Sequence, residues 1–324
     1  MIDIAVIGAG WAGLTAAATL AAAGREVVVV DKARGPGGRS ATRRQNGFHF
    51  DHGAQYFTVR SAEFRNQVEG WRDLGLVAAW APGIHVVGPR PEQAEPSPAE
   101  RLVGVPGMNS VLHYLSGKLD CRFGWRVAGL ERSDHWRLIG PSGESLQARH
   151  LVITAPPQQT AELLGENHPL SPSLTRVPMA PTWALMVGFN KPVRADVEAV
   201  FVNHGPLSWI ACNSAKPERH GHAWVAHGNP EWSTANLERD AEDVANELYA
   251  AFCEIVPVPA GLRAAVLTAH RWRYALSAEP DDRLCLGRRE ENLVIAGDWC
   301  AGNRIEGAWT SGRAAAAYLL ESTE

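Results

Sequence analysis

The opening stretch, up to Asp31, constrains this chain more than any other. A largely apolar run, Ile2 to Ile7, leads into GAGWAG, where Gly8, Gly10 and Gly13 keep a G-x-G-x-x-G spacing around Trp11 and Ala12. An Ala/Leu-rich helix to about Ala23 follows, and then the run EVVVVD, ending at Asp31. Strand, helix and strand within about thirty residues make a βαβ unit. Apolar runs without alternation are expected where a parallel sheet is covered on both faces. The three glycines answer separate demands: a tight turn, close backbone approach to a pyrophosphate, and close helix–strand packing. The phosphates would meet the free N–H groups of the helix N-terminus, and Asp31 would grip ribose hydroxyls. The expected fold class is α/β with a Rossmann-type dinucleotide-binding domain.

A chain of 324 residues exceeds one comfortable core, so two domains are expected. Residues 81–100 hold five prolines and read as a connection or surface loop. Short strands are expected near 120–127, 135–139 and 145–155. Between about 157 and 265 the pattern changes to strand candidates TWALMVGF, LSWIAC and HAWVAHG, with one amphipathic helix, LERDAEDVANELYAAF. Strands gathered this way suggest a mixed or antiparallel sheet. The chain then returns to a buried strand, NLVIAGD, and a closing helix from about Glu306 to Leu320. The expected division is a discontinuous nucleotide-binding domain of residues 1–60, 101–156 and 266–324, with 61–100 and 157–265 forming an inserted α+β substrate domain.

The segment after Asp31 distinguishes NAD from FAD. KARGPGGRSATRR supplies Lys32, Arg34, Arg39, Arg43 and Arg44 and no acid. A basic, glycine-rich loop suits an extended dinucleotide whose pyrophosphate needs a second clamp. Gly37 and Gly38 let the backbone close in, and Arg39 can bond a phosphate oxygen. The alternative is a solvated basic loop. Near the other end, Gly297-Asp298 puts a carboxylate at the carboxyl edge of the sheet, where ligands of such folds lie. There Asp298 suits a ribityl or ribose hydroxyl, or caps a helix. The helix after Glu306 begins with Gly307 and Ala308, and its positive end can face a reduced flavin.

Together, Gly8–Gly13 with Asp31, GGRSATRR, DHGAQYFT at Asp51–Thr58 and GDWCAGNRIEGAW resemble the flavin-containing amine oxidase superfamily, and within it the renalase group with its bacterial members. The resemblance runs over nearly the whole chain and is strongest in residues 1–60 and 290–320. It implies noncovalent FAD in a domain of para-hydroxybenzoate-hydroxylase topology. It also implies an adenine contact through the backbone of Val127 (or a plain strand residue there), and a wall of Gly53, Ala54, Gln55 and Tyr56 beside the isoalloxazine. Trp299 or Trp309 would stack on the substrate ring or line its mouth.

Two departures from the amine-oxidizing members matter. Those enzymes carry an aromatic residue two positions before EGA, where this chain has Arg304. They also carry a lysine near the flavin N5, in the strand matching about Pro178–Phe189, where this chain has none. A cation about 6 Å from Arg304 feels roughly 3 kcal/mol of repulsion at an effective dielectric of about 20. An anion gains as much. Arg304 could instead pair with Glu306 or Asp298. Arg271 and Arg273, in HRWRYA, either strengthen the anionic reading or are surface charges.

The resemblance implies oxidation of misreduced 1,2- and 1,6-dihydro-NAD(P) by hydride transfer to flavin N5, with electrons passed to O2, giving peroxide, or to a quinone-like acceptor. No general base is required, because rearomatisation drives the step. The alternatives are oxidation of amines or another small reduced metabolite, and a flavin-carrying sensor without turnover. A net charge of −4 argues against a nucleic-acid binder. The apolar run Leu14–Ala23 is too short to span a bilayer. Five cysteines without a C-x-x-C pair, and a strand beginning at the second residue, suggest a cytoplasmic protein with free thiols and no cleaved leader. Neither Cys285 nor Cys300 matches a pattern for covalent flavin attachment. No metal site is expected.

Overall fold

Cover on both faces makes Ile2–Ile7 and Val27–Asp31 neighbours in a central parallel sheet, with Ile4 to Val6 and Val30 wholly buried. The computed structural model describes residues 1–89, 99–193, 197–279 and 282–321. Among these, the first sheet runs Cys285–Arg288, Leu293–Ala296, Ser145–Ile153, Ile2–Ile7, Val27–Asp31, Asp120–Phe123. All neighbours are parallel except the first pair. Ser145–Ile153 serves three partners: its second half lies between Ile2–Ile7 and Leu293–Ala296, parallel to both, and its first half pairs antiparallel with Trp136–Ile139. That strand in turn pairs with Gly129–Arg132, which the sequence pattern does not separate from its surroundings.

Helices Trp11–Ala22 and Ile305–Leu320 share one core with one face of this sheet. They cross closely, since a Cβ on Gly312 would collide with the Ala12 carbonyl. Helix Ala62–Asp73 joins the same core through Phe64, Val68 and Trp71. The other face is covered by the antiparallel strands, through Trp136, Leu138 and Leu146.

The second sheet runs Ala264–Ser277, Met179–Phe189, His222–Gly228, Leu207–Cys212, Ala199–Val202, Ile84–Val87. It is antiparallel apart from its last pair. The α/β class and the mixed second sheet are as expected. Three details are corrected. Ile84–Val87 is a strand, although its surroundings are proline-rich, because Ala199–Val202 offers it a parallel edge; residues 90–98 of that stretch lie outside the described residues. Ala264–Ser277 belongs to the second sheet by its bonds to Met179–Phe189, so the expected division at residue 265 falls inside a strand. The amphipathic helix starts at Ala241, not Leu237, because the Asp240 side chain caps it.

The hairpin Thr42–Gln45 and Phe48–Asp51 forms the seam between the sheets. Its Phe48 and Phe50 pack with Met186, Val225 and Val266 of the second sheet. Asp51 and the residues after it therefore emerge where the two sheets meet.

Candidate functional site

The glycine turn is built by exclusion. Gly8 has φ 111°, a region that favours glycine. A Cβ on Gly13 would run into the Gly8 carbonyl and Thr154 Oγ1, whereas one on Gly10 would meet nothing within 4 Å. Gly8 and Gly13 are thus required by packing, whereas no protein atom excludes a side chain at Gly10, so its small size is left free to serve a ligand. Gly38, at φ 52°, lies against Gly10, so that a Cβ on it would stand 3.5 Å from the Gly10 Cα. The helix starting at Trp11 has no side-chain cap and no acid in its first turn, so its first N–H groups stay available. The Trp11 ring points inward, with its Nε1 donating to Ser40 Oγ at 2.9 Å.

Asp31 ends its strand with one carboxylate oxygen accepting from the Ala9 N–H at 2.6 Å and the other from the Ala33 N–H at 2.7 Å. It therefore stiffens both loops of the turn, and each oxygen keeps a lone pair for a hydroxyl. Val127 is buried, and among the described residues no hydrogen bond is found on its backbone N–H or carbonyl. An adenine edge could satisfy both. Lys32 donates to Gln159 Oε1 at 3.1 Å, and Arg44 is exposed on the seam hairpin.

Arg39 and Asp298, expected to hold phosphate and hydroxyl separately, instead hold each other. The guanidinium grips the Asp298 carboxylate through two bonds, 2.9 and 2.5 Å, and donates to the Ala275 carbonyl at 3.0 Å. One residue thereby ties the glycine-rich loop to the carboxyl-terminal loop and to the end of the long strand Ala264–Ser277. Paired charges of this geometry satisfy each other without a ligand. The helix that follows also differs from expectation. Glu306 is buried and accepts from the Arg60 and Ser61 N–H groups at 2.8 and 2.7 Å, so it ties down the turn leading into helix Ala62–Asp73, which Ser61 caps. Gly307 is required by packing, since a Cβ there would strike the Ala301 carbonyl, and the half-buried Ala308 donates to Arg304 O at 2.9 Å.

Arg304 is the N-cap residue of this helix, exposed, and makes no side-chain cap bond. Among the described residues its guanidinium has no carboxylate partner. Neither acid expected as its alternative partner is available, because Asp298 is held by Arg39 and Glu306 by the backbone. Arg271 and Arg273 are different: both pair with Glu238, at 2.8 and 2.7 Å. They share a strand face, opposite the one on which His270 and Trp272 meet His52. Those two charges are surface charges.

The aromatic expectations are also corrected. Trp299 is 1 % exposed and Trp309 3 %, each in a core cluster, so neither lines a mouth. Trp299 Nε1 is a buried donor without a partner, lying beside Gly297. Tyr56 packs between Trp80 and Trp209, with the Arg101 guanidinium 5.3 Å from its ring centroid. Gln55 turns away from any surface into a buried charge cluster.

That cluster is not legible in the sequence. Asp51 accepts from Thr42 Oγ1 (2.7 Å), the Met108 N–H (3.1 Å), Lys216 Nζ (3.2 Å) and Arg219 Nη2 (2.8 Å). Burial would raise the Asp51 carboxyl, but the Lys216 and Arg219 charges overcome it and hold it at about 2. Beside it, His52 meets His270 and Trp272 at ring separations of 4.9 and 5.0 Å. The His52 carbonyl accepts from Trp272 Nε1 at 2.9 Å, with His227 Nε2 3.3 Å away. Burial pushes His52 down to about 3 and His227 to about 4, so both are neutral at pH 7. Lys216 and Arg219 lie in a polar loop, NSAKPER, whose composition reads as solvated; only the packing of the seam buries them.

The residues present fit FAD. The open Gly10–Gly38 approach, the free helix N-terminus and the backbone of Val127, unpaired among the described residues, are all features that a long dinucleotide would satisfy. No disulfide joins any of the five cysteines, and no cluster among the described residues could hold a metal ion. No described helix is long and apolar enough to cross a membrane.

Comparison with known proteins agrees. The family described as flavin containing amine oxidoreductase matches residues 90–320, and that described as NAD(P)-binding Rossmann-like domain matches residues 6–68. A protein provisionally named protoporphyrinogen oxidase, from Exiguobacterium sp. 255-15, superposes with a TM-score of 0.78 at 14% identity, over 99% of both chains. Cyclohexylamine oxidase from Brevibacterium oxydans gives 0.76 at 14% identity, again over 99% of both. At that identity the likeness is one of fold. The all-trans-retinol 13,14-reductase of Macaca fascicularis is 46% identical over 55 residues, covering 17% of this chain and 9% of that protein. The chain thus matches about a tenth of that curated relative's length.

Proposed function

This chain belongs to the flavin containing amine oxidoreductase family, and from that premise we propose that it is an FAD-dependent oxidase of misreduced dihydronicotinamide dinucleotides. The substrate is 1,2-dihydro-NAD(P), with the 1,6 isomer as a second. Arg304 carries this reading: a family position that holds an aromatic residue in amine-oxidizing members is here a cation, exposed and, among the described residues, without a carboxylate partner. A protonated amine is repelled there, and a dinucleotide phosphate attracted. The strand Met179–Phe189 has no lysine, which sets the chain apart from amine oxidizers a second time.

When bound, FAD supplies the hydride acceptor at N5 and a route for the electrons to O2 or a quinone-like acceptor. The chain's part is positioning. Its glycine turn and the free N–H groups at Trp11–Gly13 hold the pyrophosphate. Gly53 and Ala54 would form one wall of the flavin ring's site, against which the donor ring would be held for hydride transfer. A dihydronicotinamide becomes aromatic on losing hydride, so no base need take a proton. His52 and His227, neutral and bonded within the seam, are not needed as bases.

The test is anaerobic mixing of the holoprotein with each dihydronicotinamide isomer. Loss of the oxidised flavin's visible absorption with the 1,2 isomer, and formation of NAD(P)+, is expected; an unchanged spectrum with every isomer ends the proposal. The family match over residues 90–320 favours one other reading, an oxidase of amines or another small reduced metabolite. Bleaching by a panel of primary amines and polyamines would select it.

A further inference from the structure

Behind Gly53–Gln55 lies a group of charges that the proposed reaction does not use. Asp51, Lys216 and Arg219 have wholly buried side chains. Asp51 closes a strand of the seam hairpin, and the two cations come from the loop between Leu207–Cys212 and His222–Gly228. One carboxylate faces two cations, which leaves one positive charge uncompensated. Such a surplus is costly at low dielectric and demands polar partners.

Lys216 directs its three protons to Asp51 Oδ2, Gln55 Oε1 and Asn213 Oδ1, each at 3.2 Å. Its ammonium also lies 5.3 Å from the Trp80 ring centroid, adding a cation–π attraction. Gln55 Nε2 in turn donates to the main-chain carbonyls of Asp51 and Gly53. The Ala54 N–H donates to the Arg39 carbonyl at 2.9 Å, and a Cβ on Gly53 would strike that same carbonyl. A chain of bonds therefore runs from the second sheet, through Lys216 and Gln55, to the glycine-rich loop.

We propose that Lys216 is a positioning residue: through Gln55 it fixes the Gly53–Gln55 wall against that loop, and its charge biases FAD held there toward the reduced, more negative state. The inference rests on FAD lying against this wall and is independent of which substrate reduces it. The titratable and charged groups facing Lys216 are Asp51, Arg219, Cys212 and His227. Burial pulls the ammonium down to about 8 against the hold of Asp51, so its charge fades as pH rises past that value.

The test is the midpoint potential of bound FAD, without substrate, against pH in the wild type, K216M, R219M and Q55L. K216M and R219M each leave Asp51 one cation and remove the surplus charge. Both should lose at least about tenfold in preference for reduced flavin, about 30 mV for a two-electron couple. The wild type should lose the same preference across about pH 8, and K216M should show no such step. The visible circular dichroism of the bound flavin should change in K216M and Q55L but not in R219M, which separates positioning from charge. A K216M holoprotein with wild-type potential at every pH overturns the proposal. If K216M does not retain FAD, the absence of both an R219M shift and a wild-type step overturns it equally. Failure of every dihydronicotinamide to bleach the flavin would leave these potentials untouched, so the two readings fail separately.

Discussion

The two ends of the chain build two halves of one cradle by different means. In the amino-terminal half the backbone acts: Gly8, Gly10 and Gly13 shape a turn whose N–H groups face the ligand side, and Asp31 braces it through the Ala9 and Ala33 N–H groups. In the carboxyl-terminal half side chains act, and their partners are remote in sequence. Asp298 is held by Arg39, Glu306 ties down the turn before the helix begun at Ala62, and Arg304 has no carboxylate partner among the described residues. The contrast teaches that local spacing can specify a backbone site, whereas a side chain's role follows from what the rest of the chain brings to it.

The hardest blow to this comparison falls where both halves meet the second sheet. Asp51→Asn would leave Lys216 and Arg219 buried with no counter-charge, and about 3–5 kcal/mol of stability should be lost in urea unfolding. A loss under about 1 kcal/mol would mean the cations can reach solvent. Acid probes the same seam. His52 and His227 have folded values of about 3 and 4, below the ordinary 6.5, so the unfolded chain binds protons that the folded one refuses. Stability is therefore complete above about pH 6.5 and falls toward 4 and then 3, by roughly 2–3 kcal/mol at about pH 5.5 for the two together. Asp51, held at about 2, adds a further loss below its ordinary 3.8. A thermal midpoint that is flat between pH 7 and 5 would refute the burial of both rings.

Within the amino-terminal half, Gly13→Ala should cost about 1–3 kcal/mol, because the new methyl meets backbone that cannot yield. Gly10→Ala should leave the melting temperature nearly unchanged yet weaken FAD retention. Equal stability losses in the two variants would erase the distinction between packing and ligand glycines. In the other half, Arg304→Ala should weaken dinucleotide binding by roughly tenfold, about 1.4 kcal/mol, while FAD stays bound. The effect is smaller than an enclosed charge would give, because solvent screens an exposed one. Unchanged saturation kinetics would remove Arg304 from the site. The smallest effect belongs to Glu238→Ala, which frees Arg271 and Arg273 on the outer strand face. No measurable change in stability or turnover is expected, and a clear drop in turnover would return those arginines to the chemistry.

Some of this is legible in the sequence. TWALMVGF, LSWIAC and HAWVAHG are strands as their composition suggests, because β-branched and aromatic residues gathered in short runs fit a pleated, buried surface. Ile84–Val87 is hidden among prolines, since its strand character comes from a partner edge more than a hundred residues away. Trp299 is a site residue only by what the resemblance implies, and sequence does not determine which way an indole points; its ring fills a core. Lys216 gives no signal at all, for a lysine in a polar loop is ordinarily solvated.

The sequence by itself determined the α/β class, the glycine turn and the position of a cation at residue 304. These depend on steric and hydrogen-bonding rules acting within a few residues. Only the tertiary structure decided that Arg39 and Asp298 are partners, that Glu306 holds the turn before a helix, and that Asp51, Lys216 and Arg219 share a dry seam. A charged side chain takes its meaning from the charges and the water around it. Both are settled only when distant segments have packed.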